Sequence, residues 1–336
     1  MTHEFKAIVK AYISAKEQHI KTVLATVVDL DGSSYRRPGV RMLITGDGKS
    51  IGAVSGGCVE KEVIRQAQSV LKDGIPKMMT YDGRYRLGCE GLLYILIEPF
   101  SPSDEFLNAF EIHLEIRKPF RVTSYFSHSE GVNESFGSLI QLADKTYTFR
   151  NYKRSKEEMQ VFVQDMKPCF KLMIIGAEHD AVQLSGYASL TGWEVTVVVA
   201  PYERKTLADF PGAQELCCVD AENLEVGLID DQTAVMLMTH NYVKDLQFLL
   251  RIMEVQPAYL GILGPANRRE TLLGELIERN PEIEPSFFDT IYGPSGLNIG
   301  AETAQEISIA ILAEILAVVR NQNPIMLKNK TRPIHY

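Results

Sequence analysis

Apolar residues recur along this chain in two rhythms, and segments of the two alternate. Phe5, Ile8, Val9, Tyr12 and Ile13 fall on one face at helical spacing, which predicts a helix over residues 4–16. The Val-rich run 22–30 then reads as a strand. Two more strands, 41–45 and 50–55, are joined by Gly46-Asp47-Gly48, a hairpin signal. Val59, Val63, Ala67 and Val70 predict a helix over 58–72, closed by Gly74 and Pro76. Strands are expected at 77–81 and 92–99, a helix about Phe106, Leu107, Phe110 and Leu114, and short strands with polar turns over 120–150. The charged stretch 151–158 reads as surface or linker.

The pattern changes at Pro168. Short continuous apolar runs follow at 169–175, 194–199, 233–238 and 258–263, the form taken by strands buried on both faces of a parallel sheet. A helix to about Leu190 separates the first two, giving a β-α-β unit of about 30 residues, as in one mononucleotide-binding half of a doubly wound sheet. The last helix opens on Thr303-Ala304-Gln305-Glu306, a capping box, and runs to about Arg320 with Ile307, Ile311, Ile315 and Val318 inward. The predicted fold class is α/β. A small N-terminal α/β domain with its linker occupies residues 1–166, a Rossmann-like doubly wound parallel sheet occupies 167–322, and 323–336 is a tail.

Composition narrows the setting. The 336 residues suffice for two domains, and 45% hydrophobic with 23% charged residues is ordinary for a globular protein. No apolar run reaches the roughly 18 residues of a membrane span, and the N-terminus lacks the pattern of a signal peptide. Five cysteines without regular spacing argue against a disulfide framework, so a cytoplasmic location is expected. The net charge of −8 argues against broad nucleic-acid binding. No membrane partner is expected either.

The most informative chemistry lies in Ser55-Gly56-Gly57-Cys58-Val59-Glu60, where a thiol follows two glycines at a predicted helix start. Such a turn admits a ligand close to backbone N–H groups, and a helix N-terminus favours anions and lowers the pKa of a thiol. Upstream lie a Gly/Ser loop from Gly32 and the arginines Arg36, Arg37 and Arg41. Cys89, flanked by Gly88 and Gly91, stands in a second polar loop. Cys58 and Cys89 have no His, Cys or Asp at metal-ligand spacing, so no metal site is expected. Adjacent Cys217 and Cys218 cannot both enter one site from a strand, and read as packing.

In the second domain, Gly176-Ala177-Glu178-His179-Asp180-Ala181 departs from the dinucleotide fingerprint Gly-x-Gly-x-x-Gly/Ala by placing Glu178 where the second glycine belongs. The next strand ends Val197-Val198-Val199-Ala200-Pro201, without the carboxylate that would read a ribose. Both features count against NAD(P). His179 and His240 follow predicted strands, as do Thr239, Gly264 and Arg268, where open α/β sheets bind ligands.

Taken together, Ser55–Glu60, the 32–42 loop, Gly176–Ala181, Met238-Thr239-His240, Gly261-x-Leu263-Gly264-Pro265-x-x-Arg268 and Gly293-Pro294-x-Gly296-Leu297-x-Ile299-Gly300-Ala301 resemble the XdhC/CoxI family. The resemblance runs in order over most of the chain. It implies an accessory protein that binds molybdenum cofactor (molybdopterin), supports its sulfuration and delivers it to a molybdenum hydroxylase of xanthine dehydrogenase type. It also implies a part in purine catabolism, a cysteine desulfurase as sulfur donor and a homodimer. The reading is thus of a cofactor-handling chaperone rather than a turnover enzyme. Cys58 would be its chemically active residue, binding metal or carrying sulfur. Arg41, Ser55, Gly56, Gly57, Glu60, Cys89, Gly176, Ala177, His179, Thr239, His240, Gly264 and Arg268 would hold the cofactor. Two other classes remain open, an NAD(P)-dependent oxidoreductase and a non-catalytic docking scaffold. A lone thiol can also simply pack.

Overall fold

A computed structural model describes residues 1–32, 37–83, 91–151 and 158–330. The chain divides into two compact units, 1–168 and 169–336.

The first unit begins with α1 (Thr2–Glu17), then β1 (Thr22–Gly32), β2 (Arg41–Thr45), β3 (Ser50–Gly52) and α2 (Gly57–Asp73). It continues through β4 (Lys77–Asp82), β5 (Gly91–Pro99), α3 (Asp104–Glu115), β6 (Phe120–Phe126), β7 (Gly131–Val132), β8 (Gly137–Leu142), β9 (Lys145–Thr148) and β10 (Gln160–Met166). Six strands form an antiparallel sheet in the order β3-β2-β1-β5-β4-β7, and a second antiparallel sheet runs β10-β6-β8-β9. Alternation along β1 decides its two faces. Val23, Ala25 and Val27 pack under α2 against Val59, Val63, Ala67 and Val70. Leu24 faces the other way, into an aromatic-rich core with Phe5 of α1, Phe106 and Phe110 of α3, and Phe120 of the second sheet. Phe5 and Phe110 meet edge to face at 5.5 Å.

Strand β3 stops three residues before the expected end. Gly52 sits at φ +83, outside extended geometry, and a Cβ there would fall 2.5 Å from the carbonyl oxygen of Arg41. The chain therefore leaves the sheet at Gly52 and reaches α2 through a short connection in which only Val54 is fully buried.

The second unit contains β11 (Lys171–Ile175), α4 (His179–Leu190), β12 (Glu194–Val199), β13 (Glu215–Cys218), β14 (Thr233–Leu237) and α5 (Tyr242–Ile252). After these come β15 (Tyr259–Ile262), α6 (Ala266–Arg279), α7 (Pro285–Asp289), β16 (Ile291–Tyr292) and α8 (Ala304–Val319). All six strands are parallel, in the order β13-β12-β11-β14-β15-β16. Renumbered within the unit, this is 3-2-1-4-5-6, the doubly wound dinucleotide-fold order. Leu172 and Ile174 of β11 face α4 and α8, while Met173 and Ile175 face α5 and α6. Burial on both faces is why these strands read as continuous apolar runs. The capping box of α8 forms as expected, with Thr303 accepting from the Glu306 N–H and Glu306 accepting from the Thr303 N–H.

On β13, Cys217 is half-buried and burial pushes its thiol up to about 11, whereas Cys218 is exposed. Strand alternation thus makes only one of the pair a packing residue. Glu314 accepts from the Tyr259 hydroxyl at 2.5 Å and from the Gly296 N–H at 2.9 Å. It thereby ties the loop after β16 to the sheet. Burial, with Glu314 beside it, holds the Tyr259 phenol well above its ordinary range. No described helix is long and apolar enough to cross a membrane.

Candidate functional site

In the first unit, Gly56 is the N-cap of α2 at φ −84°, ψ 165°, and offers no side chain to the first turn. The first intrahelical bonds run from Val59 and Glu60 N–H to the Gly56 carbonyl, at 3.0 and 3.3 Å. The N–H groups of Gly57 and Cys58 lie ahead of them, at the positive end of the helix. Val59 is buried under the sheet, while Gly56, Gly57 and Cys58 are exposed and Ser55 and Glu60 are half-buried. The thiol therefore points away from the core. A Cβ on Gly56 or Gly57 would meet nothing within 4 Å, and neither residue takes a left-handed φ. Among the described residues, nothing in the packing requires glycine at either place.

Arg41 stands on β2. Its position there turns it inward, 6% exposed, and it donates from Nη1 to Gly39 O at 2.9 Å and to Gln164 Oε1 at 2.6 Å. Its guanidinium lies 5.6 Å from the centroid of the Phe5 ring. Burial pulls it down to about 10, against the opposing pull of Glu98 and Glu4. As the chain stands, its guanidinium is engaged with the interior rather than with the exposed turn. Cys89 lies outside the described residues.

In the second unit, the carboxyl ends of β11, β14 and β15 collect most of the expected residues. Gly176 ends β11 at φ +148, and a Cβ there would fall 2.3 Å from the Met238 carbonyl oxygen. Only glycine lets β11 and β14 end so close together. Ala177 is buried and Glu178 is the exposed N-cap of α4, making no capping bond of its own. His179 is exposed at the first helical position. His240 takes φ +54, and its Nε2 lies 3.3 Å from Asp180 Oδ2 in the first turn of α4. Thr239 donates from its backbone N–H and its hydroxyl to Asp245 Oδ1, at 3.2 and 2.6 Å. Arg268 donates from Nη2 to Asp245 Oδ2 at 2.6 Å. Gly264, at φ +124, leaves room for the Arg268 side chain, whose Cδ would lie 2.9 Å from a Cβ there.

Asp245 is thus the hub that fixes Thr239 and Arg268, and it is fully buried. Sequence reasoning missed it, although a signal was present. Asp245, Leu249 and Ile252 share one helical face, so an acid stands at an inward position of α5. A buried carboxylate needs partners, and strand-end donors supply them.

Comparison with known proteins agrees with this architecture. Residues 15–82 match the XdhC and CoxI family, and residues 172–315 match the XdhC Rossmann domain. The chain belongs to the XdhC/CoxI family. Among its relatives is a Bacillus subtilis (strain 168) protein named as a probable xanthine dehydrogenase subunit, 28% identical over 89% of this chain and 94% of that one. Another is the "Molybdenum cofactor insertion chaperone PaoD" of Escherichia coli K12, 26% identical over 96% of this chain and 91% of that one. A crystal structure from Bacillus halodurans, described as a xanthine dehydrogenase, superposes with a TM-score of 0.78 at 27% identity, covering 94% of this chain and 96% of that one.

Proposed function

We propose that this protein is an accessory factor that binds molybdenum cofactor, supports its sulfuration and delivers it to a hydroxylase of xanthine dehydrogenase type. The observation that carries this reading is the start of α2. Two glycines that no described neighbour requires leave N–H groups and an exposed thiol open to a ligand. The names of the relatives above support the same role. The cofactor is cargo here, and these residues fit its chemistry. The N–H groups of Gly57 and Cys58 suit a phosphate, and the Cys58 thiol suits a soft metal centre or a carried sulfur. Ser55 and Glu60 flank the turn.

The client is a molybdenum hydroxylase of purine catabolism, the sulfur donor a cysteine desulfurase and the working assembly a homodimer in the cytoplasm. The strand-end residues Gly176, Ala177, His179, Thr239, His240, Gly264 and Arg268 form the second unit's contribution to ligand handling. An NAD(P)-dependent oxidoreductase is disfavoured by Glu178, which sets a negative charge at the helix start where a pyrophosphate would approach.

The test is to produce the full chain in cells supplied with molybdenum cofactor, then assay co-purified pterin and molybdenum and the activation of apo-hydroxylase. Stoichiometric cofactor that is lost in Cys58→Ala supports the reading. A cofactor-free protein, or a Cys58→Ala variant that activates apo-hydroxylase as well as the parent, removes it.

A further inference from the structure

The second sheet of the first unit ends on β10, and among the described residues the backbone of β10 bonds only to β6. A seven-residue strand thus keeps one edge of N–H and C=O groups for another strand. Chains guard such edges with short length, proline, lysine or a bulge. The other described sheet edges are short: β3 has three residues, β7 and β16 two each, β9 and β13 four each. Strand β10 carries none of these guards. Its register against β6 runs unbroken from Gln160 to Met166. Its one charge, Asp165, stands near the end and is ion-paired to Arg121 at 2.7 Å.

The open stretch reads Gln160-Val161-Phe162-Val163-Gln164, the same in both directions. Two antiparallel copies centred on Phe162 therefore match themselves. Phe162 meets its own counterpart, Val161 of each copy lies opposite Val163 of the other, and Gln160 lies opposite Gln164. Alternation decides the faces. Val161 and Val163 stand on the outer face, 51% and 47% exposed, beside Tyr125 and Thr123 of β6. Gln164 turns inward and accepts from Arg41, and half-buried Phe162 packs on the cluster of Met78 and Leu96. Pairing gathers four valines into one apolar stripe and brings no charge into the matched segment. The smallest shift that keeps both outer faces on one side is two residues. In either direction it brings a carboxylate, Asp165 or Glu158, opposite the Gln160–Gln164 stretch.

We propose that β10 pairs antiparallel with β10 of a second copy of this chain over Gln160–Gln164, joining two four-stranded sheets into one across a two-fold axis at Phe162. Main-chain hydrogen bonds between the two edges supply the attraction, and the palindrome supplies the register. This gives the homodimer proposed above its interface, and it rests on that reading of the assembly rather than on the cofactor. The interface belongs to the first unit alone.

The test is sedimentation equilibrium of the full chain and two double variants, with melting temperature as the check on folding. V161K/V163K sets lysine opposite lysine at both outer pairs, and should raise the dimer dissociation constant roughly tenfold or more. V161K/V163E sets lysine opposite glutamate at both pairs in this register, and should dimerise clearly more tightly than V161K/V163K. Amide hydrogen exchange of the unaltered chain gives a reading that needs no variant: protection over residues 160–164 should fall on dilution below the dissociation constant. A monomeric parent at high micromolar concentration overturns both the interface and the homodimer. A dimer that V161K/V163K leaves intact overturns the interface and keeps the homodimer. Equal weakening in the two variants, or protection that ignores concentration, also overturns it. The cofactor assay above, run on the same preparations, reports on cofactor binding independently of each result.

Discussion

Arg268 reaches from the first turn of α6 to the fully buried carboxylate of Asp245 on α5, donating from Nη2 at 2.6 Å. The same carboxylate receives the N–H and hydroxyl of Thr239 at the end of β14. One side chain thus holds the ends of two strands and the starts of two helices in register. Asp245→Ala would leave Arg268 partly buried without its partner and two Thr239 donors without an acceptor. A loss of about 3 kcal/mol is expected, measured by urea unfolding of the full chain. Asp245→Asn, which keeps an acceptor, should lose clearly less. Equal losses would mean that the charge and its geometry contribute nothing separate.

The glycines before Cys58 allow stability and function to be separated. Gly57→Ala places a Cβ in open space at a helical position, so the protein should gain about 0.5 kcal/mol. The same methyl obstructs approach to the turn, so co-purified cofactor should fall several-fold. Calorimetry and a pterin assay on one preparation read both. A variant that is stabilised and still carries a full load of cofactor would exclude the turn as the binding place.

Cys58→Ala should unfold within about 0.5 kcal/mol of the parent, because the exposed thiol makes no core contact. Its cofactor load should nonetheless drop sharply. A large destabilisation would return Cys58 to a structural role.

Glu178 predicts weak dinucleotide binding. Calorimetric titration with NAD should give a dissociation constant well above the micromolar range. Glu178→Gly should improve affinity for adenosine 5′-monophosphate relative to adenosine, since it removes the negative charge at the start of α4. Micromolar NAD affinity in the unaltered protein would contradict this and favour the oxidoreductase class.

Glu98 gives a pH test. It is fully buried, with Oε2 accepting from the Ser138 N–H at 2.9 Å. Burial raises its carboxyl above the ordinary 4.5, against the hydrogen bonds of Ser138 and the charges of Arg150 and Arg41. The folded state therefore holds this proton more tightly than the unfolded chain. Its contribution is complete below pH 4.5 and is lost as pH rises through the raised value. Glu98→Gln, which mimics the protonated form, should gain in melting temperature relative to the parent as pH increases from 4.5 to 8. A difference that stays flat or moves the other way would show that Arg41 and Arg150 outweigh burial.

Local pattern was enough to read the long helices and the buried strands, but not β10 or the short elements β13, α7 and β16. Apolar spacing gave the helices, continuous runs gave the buried parallel strands, and Thr303 with Glu306 marked the start of α8, because each signal acts within a few residues. The exposed turn at Cys58 was legible for the same reason, since helical phase puts Val59 inward and leaves the thiol outward. What only the tertiary structure decided involves residues distant in the chain. Arg41 reads as a basic residue near an anion site until pairing of β2 with β1 turns it inward toward Phe5 and Gln164. Asp245 becomes a hub only when strand order 3-2-1-4-5-6 brings Thr239 and Arg268 to one edge. A single sequence records which residues can make such contacts. Which of them meet depends on how strands far apart in the chain are ordered across the sheet, and no local spacing encodes that.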